Sequence, residues 1–330
     1  MRVCPGAPKV EDCKCLNIDP ITIKRNVIRT GEVWMVVSLT IACLGIIICL
    51  SFSIWIACCK ATICFTWNIL DGSQGFTLLL LFGLILLLSS VFPYAFHANT
   101  LVCAMRVHCV PLSYAFVFST MLSRSGNLIV FNKTKSHVLN IILQLCLNHK
   151  KKQKAMKLLL PVMLATADDV DGLPGHVSGC TQSTLFIFMY GVQIALTVQD
   201  CLLHGILNYV ESVNLERFVF EECKSNTGND QQYSLLHRLS YAMLLLFLQI
   251  CINPFIFKSQ RNYREGLLFC LGSIFIVMVW IGWITMYIIM GKDYGIHWYD
   301  KAVSAGLLGC SAALIVAIFV PKVSMVAFKG

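Results

Sequence analysis

The sequence predicts an all-α membrane protein, a seven-transmembrane helix bundle with its N-terminus outside. Three observations carry this. Only 13% of the residues are charged and 57% are hydrophobic, whereas a soluble domain averages about 25% charged, so the chain cannot cover its surface with hydrated groups. Apolar runs near the ~20-residue length that crosses a bilayer as a helix recur along the chain. Lys and Arg crowd some of the connections between those runs and thin out in others, which orients such a chain.

The runs lie at about 33–57, 76–96, 110–126, 183–203, 233–257, 267–290 and 302–320. The second holds Pro93 near its end. The third is short and extendable in either direction. The fourth carries Gln193, Thr197 and Gln199. In the fifth, Asn253-Pro254 marks a kink or an end, because proline removes a helix donor. Pro321 closes the seventh.

Seven is odd, so the termini lie on opposite sides. With the N-terminus outside, the cytosolic segments hold Lys60, a lysine island from Lys133 to Lys157, Lys258, Arg261, Arg264, Lys322 and Lys329. The outer segments hold Arg106, Arg217, Lys224, Lys292 and Lys301 among many acids, from Glu211 to Asp300. The bias favours that orientation. Lys24, Arg25 and Arg29, just before the first span, pull the other way. A longer translocated ectodomain reconciles them, with residues 1–32 as its cysteine-containing remnant; otherwise the later loops outvote the cluster. "MRVCPGAPKV" has no apolar core of a signal peptide.

The net charge of +9 sits mostly in the lysine island. Basic loops beside a membrane face the cytosol, and no nucleic-acid partner is expected. The 17 cysteines show no recurring paired spacing of a zinc site. Cys43, Cys49, Cys251, Cys270 and Cys310 lie in apolar runs and read as packing residues. Cys4, Cys13, Cys15 and Cys223 are disulfide candidates on an outer face. Cys58 and Cys59 lie at a cytosolic membrane edge, as palmitoylated or structural cysteines. Asn132-Lys133-Thr134 fits a glycosylation pattern but faces the cytosol, so it is expected unmodified. No metalloprotease or nucleophile-elbow motif occurs, and no cofactor or catalytic residue is expected. Asp200, Arg238 and Arg124 all fall near span ends, which argues against a transporter, where ionisable groups mark the ion path.

Four stretches resemble the class C, glutamate-receptor-like G-protein-coupled receptors. "VCAMR" at 102–106 is similar to the Cys-x-x-Arg start of their third helix. "SYAFVFSTMLSRS" looks like its body, "VWIGW" at 279–283 like the sixth helix, and "FVPKVSMV" at 319–326 like the Pro-Lys ending of the seventh. Within the class, "DVDGLPGH", "VQIALTVQD" and "FIFKSQRNYREG" most resemble the bride-of-sevenless receptors. The likeness implies a plasma-membrane receptor that relays an outside signal to a heterotrimeric G protein by helix rearrangement, commonly as a homodimer. It also implies an alternative, a cell-surface ligand that reaches a receptor tyrosine kinase through an ectodomain missing here.

The resemblance assigns roles. It pairs Cys103 with Cys223 in a disulfide, with Cys109 competing. It places Arg124 opposite Glu265 as a lock on the inactive state, although Arg264 beside that acid can satisfy it locally. Trp280 and Trp283, three apart and so on one helix face, are either a core pair that moves on activation or packing and interfacial anchors. Pro321 and Lys322 match the seventh-helix ending, but Ser324 stands where many class C receptors have Tyr. Lys258, Arg261 and Arg264, with 168–176 in the preceding cytosolic loop, are the candidate effector contacts. Residues 127–162 depart from the family. Without them the flanks join as a family-like loop, so the segment is either a retained intron or a genuine basic amphipathic loop lying on anionic lipid. Residues 327–330 read as a truncated tail.

Overall fold

The computed structural model describes residues 33–62, 74–96, 99–130, 179–204, 208–213, 219–224, 231–257, 265–294 and 296–321. The lysine island, the N-terminal remnant, the effector residues Lys258, Arg261 and Arg264, and the Lys322 ending lie outside them. In chain order the elements are α1 (Val33–Thr62), α2 (Gln74–Ser89), a 3-10 turn (Phe92–Tyr94), α3 (Thr100–Val130) and α4 (Gly179–His204). A hairpin of β1 (Asn208–Val213) and β2 (Val219–Lys224) follows, then α5 (Gln231–Ile256), α6 (Glu265–Tyr294) and α7 (Ile296–Leu314), which runs on as a π-helical turn, Ile315–Phe319. Among the described residues, seven helices are long and apolar enough to cross a membrane, as the fold class requires. Helices suit that solvent because each satisfies its backbone hydrogen bonds internally.

α3 is the axle. It packs against α2, α4, α5 and α6, while α1 closes the ring between α2 and α7. Its apolar window has the largest buried share of the seven. The core is filled by Leu81, Leu84 and Leu88 of α2, Tyr114, Phe118 and Met121 of α3, Leu239 and Leu245 of α5, Ile276 of α6 and Leu307 of α7. Apolar side chains also cover the outside: Val36, Leu44 and Ile54 on α1, and Ile187, Ile194 and Leu202 on α4, are exposed. Lipid is the solvent for that face. Hydroxyls on these helices donate back to carbonyls one turn earlier, as Thr40 does to Val36, Thr120 to Phe116 and Ser273 to Phe269, which satisfies a polar group that lipid cannot.

Several helices run beyond the bounds of the apolar runs. α3 starts at Thr100 rather than 110. Arg106 and His108 interrupt the hydropathy there, yet Arg106 is buried and belongs to the helix, not to an outer loop. Likewise Lys292 lies in α6, and Lys301 lies in α7. The acidic connector after α4 is not wholly irregular, since β1 and β2 pair antiparallel with Cys223 opposite Tyr209. β1 lies against α3.

Helix contact in lipid depends on close packing more than on a hydrophobic drive, so small residues at crossings matter. A Cβ built on Gly306 of α7 would stand 2.6 Å from Trp283 Cγ of α6, inside any real contact distance. A Cβ on Gly282 would meet nothing within 4 Å. Gly306→Ala is therefore expected to destabilise the bundle by about 1–3 kcal/mol through overpacking, and Gly282→Ala to leave it unchanged. Thermal melts of the two variants in detergent check this: equal melting temperatures mean that the α6–α7 crossing is not set by Gly306.

Candidate functional site

Three buried clusters stack along α3. At its outer end, the side chain of Arg106 caps the turn after α2. Its Nε donates to the Pro93 carbonyl at 2.9 Å and Nη2 to the Phe96 carbonyl at 2.8 Å. The guanidinium also stands 5.6 Å from the Tyr94 ring centre and 3.9 Å from Asp300 of α7. Tyr94 returns a hydroxyl bond to the Arg106 carbonyl at 3.3 Å. A rigid fork of donors suits guanidinium for two carbonyls and a carboxylate at once, and that satisfaction is what allows the charge to be buried. One turn earlier, Cys103 is fully buried and disulfide-bonded. Cys109, its competitor, is a free thiol.

The second cluster is a chain of aromatic rings linking α3, α6 and α7. Trp280 stands edge-on to Tyr114, with centroids 5.1 Å apart, and 5.9 Å from Phe118. Trp283 follows at 5.7 Å, Tyr287 at 6.1 Å from Trp283, and Tyr299 of α7 at 4.8 Å from Tyr287. These are the offset and T-shaped separations that aromatic quadrupoles favour. Tyr114 Oη lies 3.7 Å from Cys310 Sγ, tying the same point to α7. Trp280 and Trp283 are 4% and 3% exposed, so both are core residues and neither is an interfacial anchor.

The third cluster lies at the cytosolic end. Ser123 Oγ donates to the Gln182 carbonyl of α4 at 2.8 Å, and Gln249 Nε2 of α5 donates to Ser125 Oγ at 2.8 Å and to Asn253 Oδ1 at 3.0 Å. Arg124 is buried between those serines in sequence, at 6% exposure. Three helices are thus joined by neutral hydrogen bonds around one cation. Glu265 opens α6, and its side chain is outside the described residues.

A family model described as the 7 transmembrane sweet-taste receptor of 3 GCPR matches residues 28–322. The chain belongs to this family. Among curated proteins, this class C receptor domain is similar to Protein bride of sevenless of Drosophila virilis, 25% identical over 311 residues, and to that of Drosophila melanogaster, 26% identical over 311 residues. Each match covers 89% of this chain and 28% of the relative, so the chain spans about 28% of the length of those relatives. Family and relatives together make it a multi-pass plasma-membrane protein of a receptor family.

Of the residues the sequence singled out, the bundle brings Trp280 and Trp283 together and buries Arg124 and Cys103. Pro321 follows the π-helical turn that ends α7. Gln249, Ser123, Ser125 and the role of Arg106 went unread. The Gln249–Asn253 spacing of four, on one helix face, was an available signal, as was the Ser-Arg-Ser run around Arg124.

Arg106→Met removes two charge-assisted bonds to main-chain carbonyls, one of them buried, each worth about 1.5–3 kcal/mol. The expected outcome is a loss of about 3 kcal/mol or more, read as poor surface delivery and a lowered melting temperature. Arg106→Lys should recover only part of it, since one ammonium cannot hold the fork. Full stability in Arg106→Met would remove the guanidinium from the account.

Proposed function

We infer that this transmembrane domain relays an extracellular event to cytosolic partners, a heterotrimeric G protein first, by shifting α6 against α3. The aromatic chain from Tyr299 to Phe118 carries this reading. It supplies one unbroken path of rigid rings from the outer end of α7 to the middle of α3, and α3 itself continues to the Ser123–Gln249 network. A shift at the outer end moves Trp280, and Trp280 bears on the helix that bonds α4 and α5 inside.

The output face is Lys258, Arg261 and Arg264 with 168–176, and the lock is Arg124 with Glu265. Because Arg124 is buried, removing its partner would cost more than the ~0–1 kcal/mol of an exposed pair, enough to bias a two-state bundle. Pro321 and Lys322 keep the role the resemblance gives them, the Pro-Lys ending of the seventh helix. On the outside, Cys223 is the partner of Cys103, tying the hairpin to α3. The resemblance to the bride-of-sevenless receptors implies a second reading, a cell-surface ligand engaging a receptor tyrosine kinase through an ectodomain. A homodimer fits both readings. Residues 127–162 are either an intron retained in the transcript or a basic loop on anionic lipid, and transcript reads that join Gly126 directly to Met163 decide for the intron.

The lock is tested with Arg124→Gln and Glu265→Gln, singly and together, in cells carrying a G-protein dissociation sensor. Each single change should raise basal signalling several-fold, and the double change should add little beyond either, as coupled residues do. Lys258→Glu with Arg261→Glu should abolish the signal. Normal surface delivery with no basal change in any variant would overturn the relay reading in favour of the ligand one.

A further inference from the structure

The outer half of the bundle contains a crevice between α3, α4 and α5 that the relay does not use. It encloses about 170 Å³ and is lined by His108, Gln193, Thr197, Asp200, His237 and Arg238, among others. That is room for several waters, or for the neck of a lipid.

Two polar groups in its wall have unmet bonding. Gln193 is 2% exposed, and its Oε1 is buried without a hydrogen-bond partner. Its amide orientation follows from its neighbour. Thr197 Oγ1 gives its only proton to the Gln193 main-chain carbonyl at 2.9 Å, so it accepts from the amide Nε2 at 3.4 Å. Oε1 is left as an acceptor in need of a donor. Arg238 donates through Nε to Asp200 Oδ2 at 2.7 Å, and its terminal nitrogens have no protein acceptor among the described residues.

Depth distinguishes the two. With the N-terminus outside, α4 runs outward, so Asp200 and Arg238 stand at the outer rim. Gln193 is seven residues, about 10 Å, deeper. Leu196 and Leu203 on the rim are exposed, and α4 is the least buried of the seven spans, so the crevice opens toward lipid. Asp200 already neutralises Arg238 through Nε, so the terminal nitrogens call for acceptor oxygens at head-group depth, which a phosphate supplies, and Gln193 calls for an N–H or O–H donor below them. A glycerophospholipid has ester carbonyls there, which are acceptors and would face Oε1 unfavourably. A sphingoid phospholipid has the same phosphate with an amide N–H and a hydroxyl beneath.

We propose that this crevice binds an outer-leaflet sphingoid phospholipid, its phosphate on Arg238 and its amide or hydroxyl donor on Gln193. Sphingomyelin and phosphatidylcholine share one head group and differ in donors at the depth of Gln193, which makes them the test pair. The full chain is reconstituted in phosphatidylcholine nanodiscs doped with sphingomyelin, and retained lipid is read by native mass spectrometry. Sphingomyelin should be retained preferentially and should raise the melting temperature. Gln193→Leu should lower that preference about fivefold, the scale of one hydrogen bond, while melting no lower than the wild type in pure phosphatidylcholine. Arg238→Lys keeps a cation beside Asp200 but loses the fork, and should weaken retention of both lipids alike. Soluble glycerophosphocholine should not compete; if it does, the ligand is a free phosphate compound and the lipid assignment falls. Equal retention of the two lipids by the wild type, or a preference that survives Gln193→Leu, overturns the proposal.

Discussion

The edge of Trp280 against Tyr114, backed by Phe118, is the contact on which the arrangement of this receptor domain depends. In lipid an exposed leucine costs nothing, so apolar burial alone does not choose how α6 sits on α3. Shape does. A large ring in a buried pocket has few alternatives, and the missing side chain at Gly306 lets Trp283 pack close to the α7 backbone on the other side. Together they place α6 between α3 and α7. Interiors packed at such density are bistable rather than soft, so a small displacement at one end is passed on as a change of contact.

The ends of the bundle are held differently, and the difference suits a relay. Outside, charges do the holding: Arg106 binds the turn after α2 and approaches Asp300, and Lys301 lies between Trp298 at 4.9 Å and Trp34 of α1 at 5.6 Å. The first helix and the seventh are thereby joined where the chain enters the membrane. Inside, neutral hydrogen bonds join α3 to α4 and α5. Neutral bonds of about 1 kcal/mol each can be exchanged for others, while a buried guanidinium held by two carbonyls is costly to disturb. The outer end is the rigid one and the cytosolic end the exchangeable one.

How much of this the sequence carried depends on the kind of signal. Hydropathy runs are long-range patterns and reveal the bundle, and the Lys/Arg bias of its connections orients it. The three-residue spacing of Trp280 and Trp283 revealed a shared face, although spacing alone does not distinguish a core from an interfacial belt; burial decides that. Charge counting puts Arg106 in an outer segment, while the "VCAMR" resemblance puts it at the start of the third helix, and the helix holds it; hydropathy cannot see the Pro93 and Phe96 carbonyls that satisfy the charge. Asn253 was read through the following proline as a kink, so its bond with Gln249 went unnoticed. Gly306 is one glycine among many until its neighbour across the crossing is known. The hairpin between α4 and α5 carries no apolar run for hydropathy to register.

The central claim is that Trp280 changes surroundings when the cytosolic face engages its effector. The direct measurement is fluorine NMR of the chain labelled with 5-fluorotryptophan, with the resonances assigned by Trp280→Phe and Trp283→Phe. Adding nucleotide-free G protein should shift the Trp280 and Trp283 resonances together. Bound G protein with both resonances unmoved would contradict the account, because the rings would then be static packing.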